Sequence, residues 1–362
     1  MPLTRTERTQ DPPPRRPDAA EPSWEVELQR VVALRKLLLS ENSEAKVCHM
    51  SKTSCGTMAV DTRQRAGFGP AARTMVDLLQ SSSTRSWSSR NVSFLSALFR
   101  SEGNVDTFLC GSSLFRHGGV ESRKPAATKE ERQLSAKLHV LHGMPHNPTE
   151  RWGSSTMFPY ARSRVYDLRR YTDHTLWGPF MDDGSQRVDW ERVEAIMIVL
   201  TCNLRLFSER TNGLFRPMWT EPFAGVAPNS FTSPPSPLPP LVKEPAAPLD
   251  AQDPYGITGT WMRVVCFLDY SDLYAFNFNS PHVPLDQDRD PVYTEEATRL
   301  ITLKLRVIKV EPPGEDDGQA LPVVTFTGTS RSVHASWDPN ANSKIRGSSD
   351  GHRQEASKLM SV

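Results

Sequence analysis

The chain has 362 residues, enough for roughly two to three domains of about 150 residues each. Apolar residues make up 37% of it, below the roughly 45–50% of globular domains, and its 30 prolines predict stretches that do not pack. The 43 basic and 42 acidic residues leave a net charge of +1, which gives no reason to expect nucleic acid or a membrane as the main partner. Five scattered cysteines without a Cys-x-x-Cys pair argue against a secreted disulfide scaffold and a zinc site.

Residues 1–92 are predicted to be largely disordered, with a helix at residues 24–39. Residues 1–22 are charged and proline-rich, and they contain no apolar run that could serve as a secretory signal. The side chains expected on the buried face of the helix are Leu28, Val31, Val32, Arg35 and Leu39. The string "ARTMVDLLQ" is a further candidate for a short helix. No stretch approaches the ~18 apolar residues of a membrane span, and we expect a cytoplasmic or nuclear protein.

Residues 93–225 are predicted to form a helical region with two well-marked helices. The first follows a capping box of Thr128 and Glu131, carries leucines at helical spacing and ends at Gly143. The second spans residues 189–207 and begins with an aspartate N-cap. Its apolar stripe consists of Val193, Ile196, Met197, Leu200, Leu204 and Phe207, so the helix is expected to be buried against other elements.

Residues 226–252 are proline-rich and predict a linker or long loop, whose P-x-x-P string could also bind an SH3-type domain. From residue 253 the apolar period changes from helical to alternating. The predicted strands are residues 259–269, residues 273–278, "TRLITLKLRVIKV" and "LPVVTFTG". We therefore predict a partial antiparallel β-barrel over residues 253–347 and a disordered tail over residues 348–362. The expected fold class is α+β, a helical region followed by an incomplete antiparallel barrel or open sheet.

Two sets of residues could carry chemistry, and both have simpler structural interpretations. Three histidines fall within eight residues: His139, His142 and His146. The first two belong to the end of a predicted helix, and no zinc-protease pattern accompanies them. The carboxylate pairs, Asp182 with Asp183 and Asp316 with Asp317, adjoin glycines and predict exposed turns. Since nucleotide-binding and nucleophile motifs are also lacking, we predict a non-enzymatic protein without a cofactor or metal.

Aromatic side chains are better candidates for a binding surface. Loops rich in glycine and proline carry Trp177, Phe180, Trp190, Trp219 and Phe223. Such side chains usually fold back onto the core, with a binding surface as the alternative. The residues selected as a candidate partner or ligand surface are Trp261, Tyr274, Phe276, Trp337 and Arg346, the last two near an Asp-Pro turn.

Four long strings carry a resemblance to a known family. They are "ERQLSAKLHVLHG", "YTDHTLWGPFMDDGSQRVDWERVEAIMIVL", "DPYGITGTWMRVVCFLDYSDLYAFNF" and "LRVIKVEPPGEDDGQALPVVTFTGTSRSVHASWDPNANSKIRG". Over about residues 129–347 the chain resembles the F-box domain proteins of filamentous fungi. The resemblance implies a substrate receptor of an SCF-type ubiquitin ligase, in which an F-box binds a Skp1-type adaptor and a C-terminal domain presents an unknown target protein. That domain is similar to the lipocalin-like β-barrel of cyclin-binding F-box proteins, where Trp261 would close the barrel floor.

The sequence departs from this family at both ends. Leu-Pro, which opens a typical F-box, occurs only at residues 238–239 and 321–322, so we expect weak binding to a Skp1-type adaptor. The resemblance stops at Gly347, which leads us to expect a frameshift, a retained intron or a truncated gene model. Four strands cannot close a small barrel, which needs about eight. The alternative is a lipocalin-like binder of apolar small molecules, with Tyr274, Phe276 and Phe278 lining its pocket.

Overall fold

A computed structural model of the chain describes residues 23–39, 68–80, 89–117, 128–144, 157–211, 221–226, 249–279, 283–285, 287–315, 321–333 and 342–349. In this part of the chain eight α-helices come first: α1 (Trp24–Leu39), α2 (Phe68–Gln80), α3 (Arg90–Leu98), α4 (Glu102–Phe108), α5 (Ser113–His117), α6 (Lys129–His142), α7 (Phe158–Val165) and α8 (Trp190–Arg210). The sheet region follows, with β1 (Gly259–Phe267), the short helix α9 (Tyr270–Tyr274), which continues into a π-helical turn (Ala275–Asn279), β2 (Ala297–Glu311), β3 (Val323–Ser332) and β4 (Asn342–Ser349). The fold is α+β, as the sequence predicts.

The main hydrophobic core lies among α1, α2, α3, α4 and α6. Its largest fully buried side chains include Leu34, Met75, Leu95 and Phe99. Phe223, from the segment after α8, also inserts into this core, and its N–H donates to the carbonyl oxygen of His142 over 2.8 Å. Burying one such aromatic side chain contributes about 2–3 kcal/mol. The expectation that Phe223 folds back onto the core is therefore confirmed.

A second cluster joins α5, α7 and α8. Its buried members are Leu114, Met144, Ala161, Ala195, Ile198, Val199 and Cys202. The small residues Ala161 and Ala195 have no exposed surface, which is consistent with close packing of α7 against α8. This second cluster lies next to the segments that lead into the sheet.

Both ends of α6 and the start of α8 lie where the sequence predicts them, whereas α8 runs to Arg210, three residues beyond its predicted end. The Thr128 hydroxyl accepts from the Glu131 N–H over 3.2 Å, and the Glu131 carboxylate accepts from the Thr128 N–H over 2.8 Å, which completes the capping box. Gly143 closes α6 with a φ of 87°, a conformation that a side chain would oppose. Asp189 caps α8 by accepting from the Arg192 N–H.

The predicted buried faces of α1 and α8 are partly wrong. In α1 the buried residues are Leu34 and Leu38, whereas four residues of the predicted face are exposed: Leu28, Val32, Arg35 and Leu39. In α8, Leu200 is exposed, although it was placed in the apolar stripe. Both helices carry apolar side chains around most of their circumference, so the sequence pattern does not single out one face.

Residues 1–92 also contain more helix than their composition indicates. The candidate helix "ARTMVDLLQ" is part of α2, where Ala72, Met75 and Leu79 are fully or almost fully buried. Helix α3 starts at Arg90, with the Ser89 hydroxyl accepting from the Val92 N–H. Polar flanking sequence lowers the average hydrophobicity of the region and hides these short amphipathic segments.

The four strands form one antiparallel sheet in the order β1-β2-β3-β4, and the sheet is open rather than closed into a barrel. Strand β2 is irregular between Val307 and Lys309. One face of the sheet is apolar and includes Val307, Val324 and Phe326, all buried. The other face carries threonine, lysine and arginine along most of its length. The open-sheet form of the prediction is therefore the correct one.

The predicted strand at residues 273–278 is wrong. The chain instead forms α9 and the π-helical turn, because Asp269 acts as an N-cap and accepts from the Ser271 N–H over 3.0 Å. Tyr274, Phe276 and Phe278 alternate with smaller or polar residues, and this period-2 pattern is typical of a strand. The opposing helical signal was the four-residue spacing of Tyr270, Tyr274 and Phe278.

Strand β4 was also missed as a strand. It runs through Ser349, two residues beyond the predicted end of the sheet at residue 347. Its sequence "NSKIRGSS" has one large apolar residue, Ile345, which explains the weak signal. Several predicted features lie outside the described residues: residues 1–22, most of the proline-rich segment, Trp219, Trp337, His146, the Asp316 pair and residues 350–362.

Candidate partner-binding surface

The structure brings together only some of the residues selected from the sequence. Tyr274 and Phe276 share the helical segment after β1. Trp261 lies on β1 opposite Leu303, on the apolar face of the sheet, and is half exposed. Arg346 lies on β4 on the opposite face, paired with Thr327. Because they lie on opposite faces of the sheet, Trp261 and Arg346 do not line the same binding pocket.

The most exposed aromatic residues of the helical segment form what we call the aromatic ladder: Tyr270, Tyr274 and Phe278. Their rings follow one another at centroid distances of 6.4 Å and 4.9 Å. Their exposed fractions are 78%, 48% and 62%. The four-residue spacing places them on one side of the helix. Tyr270 was not selected from the sequence, and Phe278 was named only as a pocket residue of the alternative function. The Asp-Tyr-Ser N-cap pattern at residues 269–271 was the signal that could have identified the helix.

The back of this helix is fixed by Asn277. Its side-chain oxygen accepts from the Leu168 N–H over 2.9 Å, and its nitrogen donates to the carbonyl oxygens of Tyr166 over 3.0 Å and Leu273 over 2.9 Å. Asn277 is 8% exposed. These bonds satisfy a largely buried amide and hold the aromatic ladder in one orientation.

Arg289 adds a second anchor. Its guanidinium group lies 5.5 Å from the ring centre of Phe276 and donates to the carbonyl oxygens of Phe276 and Asn277 over 3.1 and 3.0 Å. It also pairs with the Asp167 carboxylate at 3.4 Å. Burial alone would raise the pKa of Asp167, but hydrogen bonds and charge from Arg169, together with Arg289, outweigh it and lower that pKa. Phe276 is thus half-buried beneath the Arg289 guanidinium group.

A polar cleft of about 340 Å³ lies beside these anchors. It is lined mainly by charged side chains, among them Arg164, Asp167, Arg170, Asp288 and Arg289. Arg164 pairs with Asp288 at 2.7 Å, and Arg169 pairs with Asp167 at 2.7 Å. These ion pairs join separate segments of the chain across the cleft.

Glu296 stands at the junction of the helices and the sheet, one residue before β2. Its carboxylate pairs with Arg162 at 3.4 Å, accepts a hydrogen bond from the Asn203 side chain over 2.6 Å and accepts another from the Tyr166 hydroxyl. Burial and the bond to Glu296 raise the pKa of Tyr166. Burial, reinforced by the Glu296 charge, also raises the pKa of Cys202 and Cys266 to about 11, so both thiols are neutral and poorly reactive at neutral pH.

The two described histidines of the sequence cluster are buried. His139 Nδ1 lies 2.6 Å from a carboxylate oxygen of Glu194, and neither side chain is exposed. Burial lowers the pKa of His142 to about 4, so its ring is neutral at neutral pH. Within the described residues there is no group of three or more His, Cys, Asp and Glu side chains that could hold a metal. The carboxylates Asp182 and Asp183 are exposed in a turn, as predicted.

None of the helices that the structure describes has the length and apolar character needed to cross a membrane. Comparison of the chain with models of protein families, with curated proteins and with solved structures finds no match among any of them.

Proposed function

We propose that the chain is a non-enzymatic interaction protein of the F-box family, acting in the cytoplasm or nucleus as the substrate-recognition part of an SCF-type ubiquitin ligase. The sequence resemblance over residues 129–347 supports the family, and the aromatic ladder is the observation that carries the interaction role. Tyrosine and phenylalanine side chains that combine large area with few rotatable bonds dominate many protein interfaces.

The ladder has the properties expected of a contact surface. Tyr270, Tyr274 and Phe278 expose aromatic rings side by side, although such rings normally bury their area. Asn277 and Arg289 hold the helix from behind, so little ordering entropy is lost when a partner binds. Two more exposed apolar residues, Leu168 and Leu285, belong to segments hydrogen-bonded to this region through Asn277 and Arg169.

A target-capture experiment tests this role. The triple variant Tyr270→Ser, Tyr274→Ser and Phe278→Ser removes the ladder, and Tyr293→Ser removes a single tyrosine that is 73% exposed elsewhere. We expect the wild-type chain and the Tyr293 variant to enrich the same target protein, which the triple variant loses. That target should also turn over more slowly in cells without the chain. Equal capture by all three forms, or unchanged turnover, would reject the proposal.

The adaptor contact is tested separately with a purified Skp1-type adaptor. Because the Leu-Pro opening of an F-box is lacking, we expect the isolated chain to bind the adaptor weakly, with a Kd above about 10 μM. Robust retention of the chain on immobilised adaptor would contradict that expectation and would place an unrecognised F-box in the chain.

The alternative, a lipocalin-like binder of apolar small molecules, loses its main support from the geometry. Tyr274 and Phe278 project into solvent from a helix, and Phe276 packs under Arg289. A screen with fluorescent lipids still separates the two functions, since a protein receptor of this kind should show no saturable lipid binding.

A further inference from the structure

The polar face of the sheet carries a group of cationic side chains that we call the basic face: Lys304, Arg306, Arg331, Lys344 and Arg346. The register aligns Lys304, Thr329 and Lys344 in one row across β2, β3 and β4, and Arg306, Thr327 and Arg346 in the next. Arg331 lies in the row on the other side of Lys304, between Thr302 and Asn342. Cross-strand partners point to the same side of a sheet, so the five side chains share one face.

These five cations lie at the surface and have no ionic partner among the described residues. All five are exposed, and within the described residues none of them forms an ion pair, whereas their neighbour Lys309 pairs with Glu311 at 2.6 Å. The whole chain has a net charge of only +1. The basic face is therefore a local concentration of positive charge, and side-by-side cations without counter-ions repel one another unless an anion covers them.

The helices bury one end of this side of the sheet, and the basic face lies on the part that they leave exposed. Leu300 lies on the same side of β2 as Lys304 but is 1% exposed. Its side of the sheet also includes Cys266, and the charge of Glu296 acts on both Cys266 and Cys202 of α8. The helices thus bury the first part of this face and leave the rest open.

The spacing of the cations suits an extended chain. Lys304 and Arg306, like Lys344 and Arg346, are two residues apart on a strand, which separates them by about 6.6 Å. The two pairs flank β3 and lie about 9–10 Å apart, twice the distance between neighbouring strands. Between them, the half-buried threonines of β3 provide a flat, polar floor.

We propose that the basic face binds an acidic polypeptide segment, which lies extended over β3 between the cations of β2 and β4. Side chains at every second position of an extended peptide repeat at the same interval of about 6.6 Å, so alternating Asp or Glu residues can reach both pairs. Proteins that bind single-stranded nucleic acid on a sheet combine cations with aromatic stacking platforms. The described strand residues on this side include no aromatic residue, which favours the peptide. The surface is separate from the aromatic ladder and does not require the F-box role.

Binding is measured with the full chain and fluorescently labelled peptides of about ten residues, a length of about 33 Å in extended form. One peptide alternates Glu and Thr, and its partner alternates Gln and Thr. We expect saturable binding of the Glu peptide that weakens with added salt, and much weaker binding of the Gln peptide. Lys344→Gln with Arg346→Gln, and separately Lys304→Gln with Arg306→Gln, should each weaken binding about tenfold.

The control is Arg35→Gln with Lys36→Gln, an equal loss of charge at exposed positions of α1, which should leave the affinity unchanged. Circular dichroism and the thermal midpoint identify any variant that is misfolded, and the two pairs on different strands test the surface independently. Equal binding of the Glu and Gln peptides would overturn the proposal, as would unchanged affinity in both paired variants. Tighter binding of an oligothymidylate of about ten nucleotides would overturn it in favour of nucleic acid.

Discussion

His142 lies in the last turn of α6, with its ring centre 5.8 Å from that of Phe99 and 5.1 Å from that of Phe223. Burial in this core lowers its pKa from 6.5 to about 4. The folded protein therefore keeps the ring neutral between pH 6.5 and 4, while the unfolded chain takes up a proton. Over this window the free energy of unfolding should fall by about 1.4 kcal/mol per pH unit from this residue, or about 3 kcal/mol in all.

Urea unfolding of the wild type and of His142→Gln from pH 7 to pH 4 checks this. The variant should be less stable at pH 7 but should lose less stability on acidification, because it cannot gain the proton. His174→Gln, at an exposed histidine, is the control and should follow the wild type. The same pH slope in wild type and His142→Gln would show that His142 is not held neutral by the fold.

At the scale of single elements, the helical segment after β1 depends on the side chain of Asn277. Asn277→Ala removes three hydrogen bonds and leaves the Leu168 N–H and the Tyr166 carbonyl oxygen without this partner. Since each such loss costs about 1–3 kcal/mol at a buried site, we expect a destabilisation of about 2–3 kcal/mol in urea. Asn279→Ala, at the exposed end of the same segment, should change stability by less than about 0.5 kcal/mol. Equal effects of the two variants would contradict the anchoring role.

The secondary-structure elements differ in how well local sequence signals predict them. Helices α6 and α8 were predictable because Thr128, Glu131, Gly143 and Asp189 supply local end signals that do not depend on distant contacts. Strands β2 and β3 were predictable from alternation, since one side of each faces a core. The segment with Tyr274 fits both the alternating pattern of a strand and the four-residue spacing of a helix. The hydrogen bond from the Asn277 side chain to the carbonyl oxygen of Tyr166 helps to fix its helical form.

The candidate surfaces were harder to predict than the elements. The aromatic ladder depends on a helix that the alternating pattern concealed, so Tyr270 was missed and Phe278 was interpreted as a pocket residue on a strand. Lys344 and Arg346 align with Lys304 and Arg306 only through the pairing of three strands, whose register is a property of the assembled sheet. Neither β4 nor this pairing is marked by a strong local pattern.

At the scale of the whole molecule, the helical part and the sheet are joined through buried charge. Arg162 and Glu296 are both almost inaccessible, and Arg162 also donates to the carbonyl oxygen of Val292 over 3.2 Å. Removing one partner of a buried pair leaves the other uncompensated, which typically costs about 3–5 kcal/mol. Exposed pairs, such as Arg187 with Asp183, contribute little to stability because water screens them.

Glu296→Ala should therefore loosen the sheet from the helices, and hydrogen exchange can locate the effect. Amides at the start of β2, in residues 297–302, should exchange about a hundredfold faster, because a loss of about 3 kcal/mol in opening free energy corresponds to that factor. Amides in α3 and α4, whose core contains none of the partners of Glu296, should keep their protection. Arg187→Ala should change neither region. A uniform rise across α3, α4 and β2 would instead mean that helices and sheet open as one cooperative unit, and that Glu296 stabilises the whole fold rather than the junction.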